Sequence, residues 1–184
     1  MYTSTILASL LSLTSLALAR PVETRDEAQF TITSLGATFP YPGVYGVDAV
    51  DSYVNVGLSY PDASANGSIL STTCEVAWPK GTTPGPTEWT PCANTAVQFR
   101  LPADGWIGNT NFKAEFWAGL SDASGLYASH ILTAGPGNGN DPNAYMFCIQ
   151  KGKFNPLTCT LTGPYGSTAR TVEMTATEEA LRPN

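Results

Sequence analysis

The chain has 184 residues, four cysteines, one histidine and a formal net charge of −6. Nucleic-acid binding and adsorption to an anionic membrane both need clustered basic residues. Lys151-Gly152-Lys153 is the nearest the chain comes to such a cluster, so both partner classes are excluded.

The N-terminus sets the compartment. Ile6 to Ala19 is apolar with interspersed Ser and Thr and ends in Ala17-Leu18-Ala19, the small-x-small pattern of a signal-peptidase site. At about 14 residues this run is too short for a membrane span, which needs roughly 20. Residues 1–19 are therefore read as a signal peptide. Residues 20–29, polar and aperiodic, are a flexible leader or short pro-segment. The length from 30 to 176 fits one domain with a full core, and 177–184 is a short polar tail.

From Phe30 the pattern turns to period two. Phe30, Ile32 and Leu35 mark a first strand that Gly36 and the Pro40–Gly43 cluster break. Phe39, Tyr41 and Tyr45 gather in the loop that follows. Tyr53–Tyr60 is a second strand, ended by Pro61. Asn66-Gly67-Ser68 is both an N-glycosylation sequon and a hairpin turn signal. Ile69–Trp78 forms the third strand, followed by the stretch CEVAWPKGTTPGPTEWTPC from Cys74 to Cys92. Its Pro/Gly-rich centre cannot join a ladder, and Trp89 restarts apolar packing on the far side.

Ala96–Leu101 alternates cleanly as a half-buried strand, and Phe112–Trp117 and Leu126–Thr133 continue the habit. Gly135–Asn143 is a loop without apolar residues except proline. Its single carboxylate, Asp141, and its spacing do not make a calcium loop. Ala144–Gln150, Leu157–Leu161 and Thr168–Ala176 supply the last strands, and Thr-Glu-Glu-Ala-Leu at 177–181 suits one helical turn. Short strands at this spacing predict an all-β fold, a single compact antiparallel β-barrel or sandwich.

An even number of cysteines behind a signal peptide implies two intramolecular disulfides in an extracellular protein. Three pairings are possible. Cys74 with Cys92 and Cys148 with Cys159 is favoured, since each pair flanks a turn-rich segment. With His130 the sole histidine, no metal or other cofactor is expected.

His130 on a strand reads as a half-buried or rim residue, and no Gly-x-Ser-x-Gly elbow accompanies it. Paired carboxylates for glycoside hydrolysis could be drawn from Glu75, Glu88, Glu115 and Asp141. Glu115, between Ala114 and Phe116-Trp117, is the most interesting of them. It is expected to face outward beside Lys113, and no enzymatic activity is expected. Trp78, Trp89, Trp106 and Trp117 could stack on sugars, but core packing is the commoner fate. Trp106, in a turn, is the one expected to be exposed. With Phe39, Tyr41 and Tyr45 it makes the candidate contact surface.

In combination, the strand ending at Cys74, Ala77 after it, the closure Trp89-Thr90-Pro91-Cys92, the strand Val97-Gln98-Phe99 and the later Cys148 and Cys159 carry a resemblance. The chain resembles the fungal secreted family named for the major allergen of Alternaria moulds, over roughly Phe30 to Ala176. The resemblance implies a β-barrel with disulfides Cys74–Cys92 and Cys148–Cys159. It also implies an allergen-like effector or elicitor that engages plant extracellular defence proteins, including thaumatin-like pathogenesis-related proteins. The family's early cysteine, linked to dimerisation, has no counterpart from Phe30 to Thr73, so the chain is expected to be a monomer or a non-covalent dimer. The leading expectation is thus a secreted, non-enzymatic interaction protein with a basic partner. A carbohydrate-binding module resting on Trp106 and the 39–45 loop is the alternative, and an antimicrobial or toxic β protein a third.

Overall fold

A computed structural model describes residues 28–40, 51–62, 68–79, 82, 85–121, 123–135, 141–152, 155–163 and 170–184. The expected signal peptide, the leader up to residue 27, the sequon at Asn66, and Tyr41 and Tyr45 lie outside the described residues.

The described chain is all-β, with twelve strands: β1 Gln29–Phe39, β2 Ser52–Pro61, β3 Ile69–Trp78, β4 Thr90–Pro91, β5 Val97–Arg100, β6 Trp106–Gly108, β7 Asn111–Ser121, β8 Ser124–Ala134, β9 Ala144–Gln150, β10 Leu157–Thr160, β11 Val172–Thr175 and β12 Thr177–Glu179. A single 3-10 turn, Ala103–Gly105, precedes β6. The strands pair in the order β3-β2-β1-β10-β9-β8-β7-β5-β4, while β11 adds to β1, β12 to β8 and β6 to β7. All pairings are antiparallel except β8 with β9. Those two strands run parallel for two residue pairs, Thr133 with Ala144 and Ala134 with Met146, at a corner of the sheet.

Period-two alternation sends one face of every long strand into a single core. Phe30, Ile32, Val54, Val56, Val97, Phe99, Leu101, Phe112, Phe116, Leu132, Met146 and Val172 are all fully or almost fully buried in it. The sheet curls until its ends meet. Cys74 on β3 is bonded to Cys92 just after β4, the Ala93 amide donates to the Thr73 carbonyl (2.8 Å), and the Asn94 amide donates to Thr72 Oγ1 (2.9 Å). This seam has no continuous ladder, so the bridge does the closing. Cys148–Cys159 instead joins directly opposed residues of the paired strands β9 and β10. Both expected disulfides are present, and the described residues contain no free cysteine.

Two local expectations give way. Gly36 does not break the first strand: β1 runs on to Phe39, with Gly36 paired to Asn55 on one side and Thr160 on the other. Ladder hydrogen bonds on both edges outweigh the weak strand preference of glycine. The 177–181 stretch is not a helical turn either. Thr177, Glu178 and Glu179 pair with Tyr127, Leu126 and Gly125, because β8 offers an unpaired backbone edge.

Candidate binding groove

The alternation that buries Phe99 and Phe116 places Gln98 and Arg100 of β5, and Lys113, Glu115 and Trp117 of β7, on the outer side of the barrel wall. Register aligns Arg100 with Glu115 and Glu115 with Ser129, and one step along it aligns Gln98 with Trp117 and Trp117 with Tyr127. An outer face is normally solvated. Here Glu115 is only 3% exposed and Arg100 9%.

The covering comes from both sides of the sheet. Trp89, just before β4, lies with its ring centroid 4.4 Å from the Arg100 guanidinium. After β12 the chain leaves β8, crosses the outer face of β7 and reaches β5, where Arg182 donates to Gln98 Oε1. The Trp89 indole N–H then donates to the Pro183 carbonyl (2.8 Å), and Arg100 Nη2 donates to the Asn184 carbonyl (2.8 Å). Arg182 also lies toward the Trp89 ring, at 5.8 Å from its centroid. Around this crossing runs a groove of about 980 Å³, lined among others by Glu88, Trp89, Arg100, Asp104, Glu115 and Arg182.

At the floor, Glu115 collects three donors: Arg100 Nε (2.6 Å), Lys113 Nζ (2.5 Å) and the Tyr127 hydroxyl (2.8 Å). Burial pushes its carboxyl pKa up, but the hydrogen bonds from Lys113, Arg100 and Tyr127 outweigh burial and hold it below the ordinary carboxylate value. Lys113 answers in kind. Burial lowers its pKa, the Glu115 carboxylate raises it by more, and the net direction is upward. Burial, reinforced by Glu115, raises the Tyr127 phenol. Glu115 faces outward beside Lys113, as its strand position suggests, but it is almost fully buried there, in a groove that Trp89 and residues 181–184 also line.

Chemically, this floor is a fixed ion cluster with one cation in excess, Arg100 and Lys113 against Glu115. A carboxyl held ionised in this way is poorly suited to donate a proton to a glycosidic oxygen, which requires a raised pKa. What it does well is lock Arg100 in one pose, with a guanidinium edge free for a carbonyl and an indole stacked on its face.

Of the expected contact surface, Phe39 and Trp106 lie among the described residues, and both are packed inward. Phe39 is 1% exposed and belongs to the core, in edge-on contact with Trp106 and Phe112 and tilted against Trp78. Trp106 is half-buried and stacked on Phe112 at 5.4 Å, so its ring face is already occupied. Turn position suggested exposure for both, and the aromatic cluster at this end of the barrel absorbs them. Trp78 is a core residue and Trp117 is buried on the outer face against Gly125, leaving Trp89 as the tryptophan of the groove.

His130 is half-buried, as its strand position suggests, with burial lowering its pKa and Tyr145 packed edge-on at 5.4 Å. Asp141 accepts from the Thr133 hydroxyl (2.5 Å) and the Asn143 amide (2.8 Å), and these bonds lower its pKa and tie the end of the 135–143 loop to β8. Glu75 accepts from Asn55 on the neighbouring strand. Comparisons of the chain with protein-family models, with curated proteins and with solved structures give no match.

Proposed function

We propose that the protein is an extracellular interaction protein that acts by binding another protein and not by turnover. The observation that carries this reading is the Trp89–Arg100 pair at the groove, held rigid by Glu115. Tryptophan and arginine are the residues that most often anchor protein contacts, and rigid anchors lose little entropy on binding. The lowered pKa of Glu115 supports binding over acid catalysis.

The two disulfides suit an oxidising compartment, and the chain's net charge of −6 favours a basic partner by electrostatic steering. The resemblance to the Alternaria allergen family makes that partner a plant extracellular defence protein, the thaumatin-like class included, and makes this protein a secreted fungal effector or elicitor.

Affinity capture from plant apoplastic fluid tests the reading, with the oxidised chain from Arg20 onward as bait and the reduced, unfolded chain as control. The expected result is a saturable basic protein retained by the folded bait alone and released as salt rises. Equal retention on the reduced bait, or none on either, rejects it.

A further inference from the structure

We infer that the wall formed by Trp89, Arg100 and Gln98 is a binding site for an extended peptide segment in which a basic residue is followed by proline, presented by the partner protein, and that residues 182–184, which border the open groove, are seated on that wall as an internal surrogate. The inference rests on the proposed binding function and names the feature of the partner that the wall reads.

The seating of the segment is its basis. Three consecutive residues are each held by a different side chain of the wall. Arg182 donates to Gln98 Oε1 and lies toward the Trp89 ring, the Pro183 carbonyl accepts from the Trp89 indole, and the Asn184 carbonyl accepts from Arg100 Nη2. Two of the three contacts are to main-chain oxygens and are blind to side-chain identity. The third, to Gln98 Oε1, calls for a side-chain donor, and the Trp89 ring beside it favours a cationic one. Proline at the centre suits an extended chain and has no N–H needing a partner there. Glu88 and Asp104 on the groove lining favour a basic ligand, while the Glu115 cluster holds Arg100 in place whether or not a carbonyl is bound.

Residues 182–184 are also held lightly enough to be exchanged. Leu181 is 81% exposed, Arg182 and Asn184 are exposed, and only Pro183 is half-buried. Trp89 and Arg100, by contrast, belong to the bridged loop and to β5. The wall is the fixed half of the contact and the segment the movable half, so a partner segment of the same chemistry competes with it directly.

The test uses purified protein and a fluorescein-labelled synthetic peptide of residues 177–184, read by anisotropy. One protein is the intact chain, and a second ends at Glu179, keeping β12. The shortened chain is expected to bind the peptide saturably at one site. The intact chain should bind at least about tenfold more weakly, since its tethered segment competes at an effective concentration in the millimolar range. Trp89→Ala in the shortened chain should abolish binding, and a peptide carrying Glu in place of the arginine should not bind.

If the shortened chain does not fold, as judged by near-ultraviolet circular dichroism, the intact chain carrying Arg182→Ala and Pro183→Gly takes its place. Equal binding to intact and opened proteins overturns the inference, as does no binding to a folded opened protein, or loss of the fold in both. Because no plant fluid enters, this failure is separable from failure of the functional reading. Capture without peptide binding moves the partner to another surface, and peptide binding without capture leaves the groove and removes the host partner.

Discussion

At the scale of single residues, Glu115 gathers three donors on one buried carboxylate. Removing it by Glu115→Ala leaves Arg100 and Lys113 facing each other and the Tyr127 hydroxyl without its acceptor. Breaking a buried ion pair in this way typically costs about 3 kcal/mol, read as a lower urea midpoint. Glu115→Gln keeps acceptor and donor capacity and should cost less. The same residue shapes the acid limb of stability. Its folded pKa lies below its ordinary value of about 4.5, so its contribution is full above that pH and is lost as pH falls through the lower folded value. Lys113, with a raised folded pKa, contributes fully below about 10.5 and loses its contribution as pH rises through the higher folded value. His130, kept neutral by burial, adds a further loss as pH drops below about 6.5, where the unfolded chain takes up its proton first. Stability is therefore expected to be flat between roughly pH 7 and 10 and to fall on both sides. In Glu115→Gln the fall below pH 4.5 should shrink. An unchanged acid limb in that variant contradicts the assignment.

At the scale of elements, the two disulfides are equal in chain entropy and unequal in position. They span sequence separations of 18 and 11, and the loop-closure model gives each about 3 kcal/mol. Cys148–Cys159 reinforces strands that already share a ladder, whereas Cys74–Cys92 closes a seam held by few hydrogen bonds. Replacing Cys74 and Cys92 by Ser should raise amide exchange along β3 and β5, while replacing Cys148 and Cys159 should leave those strands protected. Equal exchange in both variants contradicts the seam. Gly125 marks a second point of tight construction. A Cβ there meets the Trp117 ring at 2.3 Å and the Ala118 carbonyl at 2.7 Å, so Gly125→Ala should cost about 1–3 kcal/mol by overpacking, visible as a lower Tm. Local pattern was enough to place these elements. Ile69–Trp78 and Ala144–Gln150 have the bounds that alternation and flanking turn residues predict. Gly36 and 177–181 were misread for one shared reason, since each takes its conformation from a strand distant in sequence.

At the scale of the whole molecule, the barrel was legible because period two, turn chemistry and cysteine count all bear on it. The groove was not. Its floor needs the register of β5 against β7, and its roof needs a segment more than 80 residues from Arg100 in sequence. Glu115 could be singled out by its aromatic neighbours but not paired with Arg100, because no local rule states which strands are adjacent. Phe39 and Trp106 fail in the opposite sense, as turn-flanking aromatics drawn into a cluster formed by four strands.

The position of β1 bears on how the chain is made. It holds β2 along one edge and β10 and β11 along the other, with Phe30 opposite Met174 and Gly36 opposite Thr160. During vectorial synthesis, then, β1 waits for a strand made about 140 residues later before its second edge is complete. Until then a β1–β2–β3 meander exposes an apolar face and an open edge, the combination that invites pairing between nascent chains. A ribosome stalled before Val172 should hold a product sensitive to protease from β1 onward, and protection should arrive in one step once β11 is released. Protection already present in the shorter product would mean that β1 finds a different partner first.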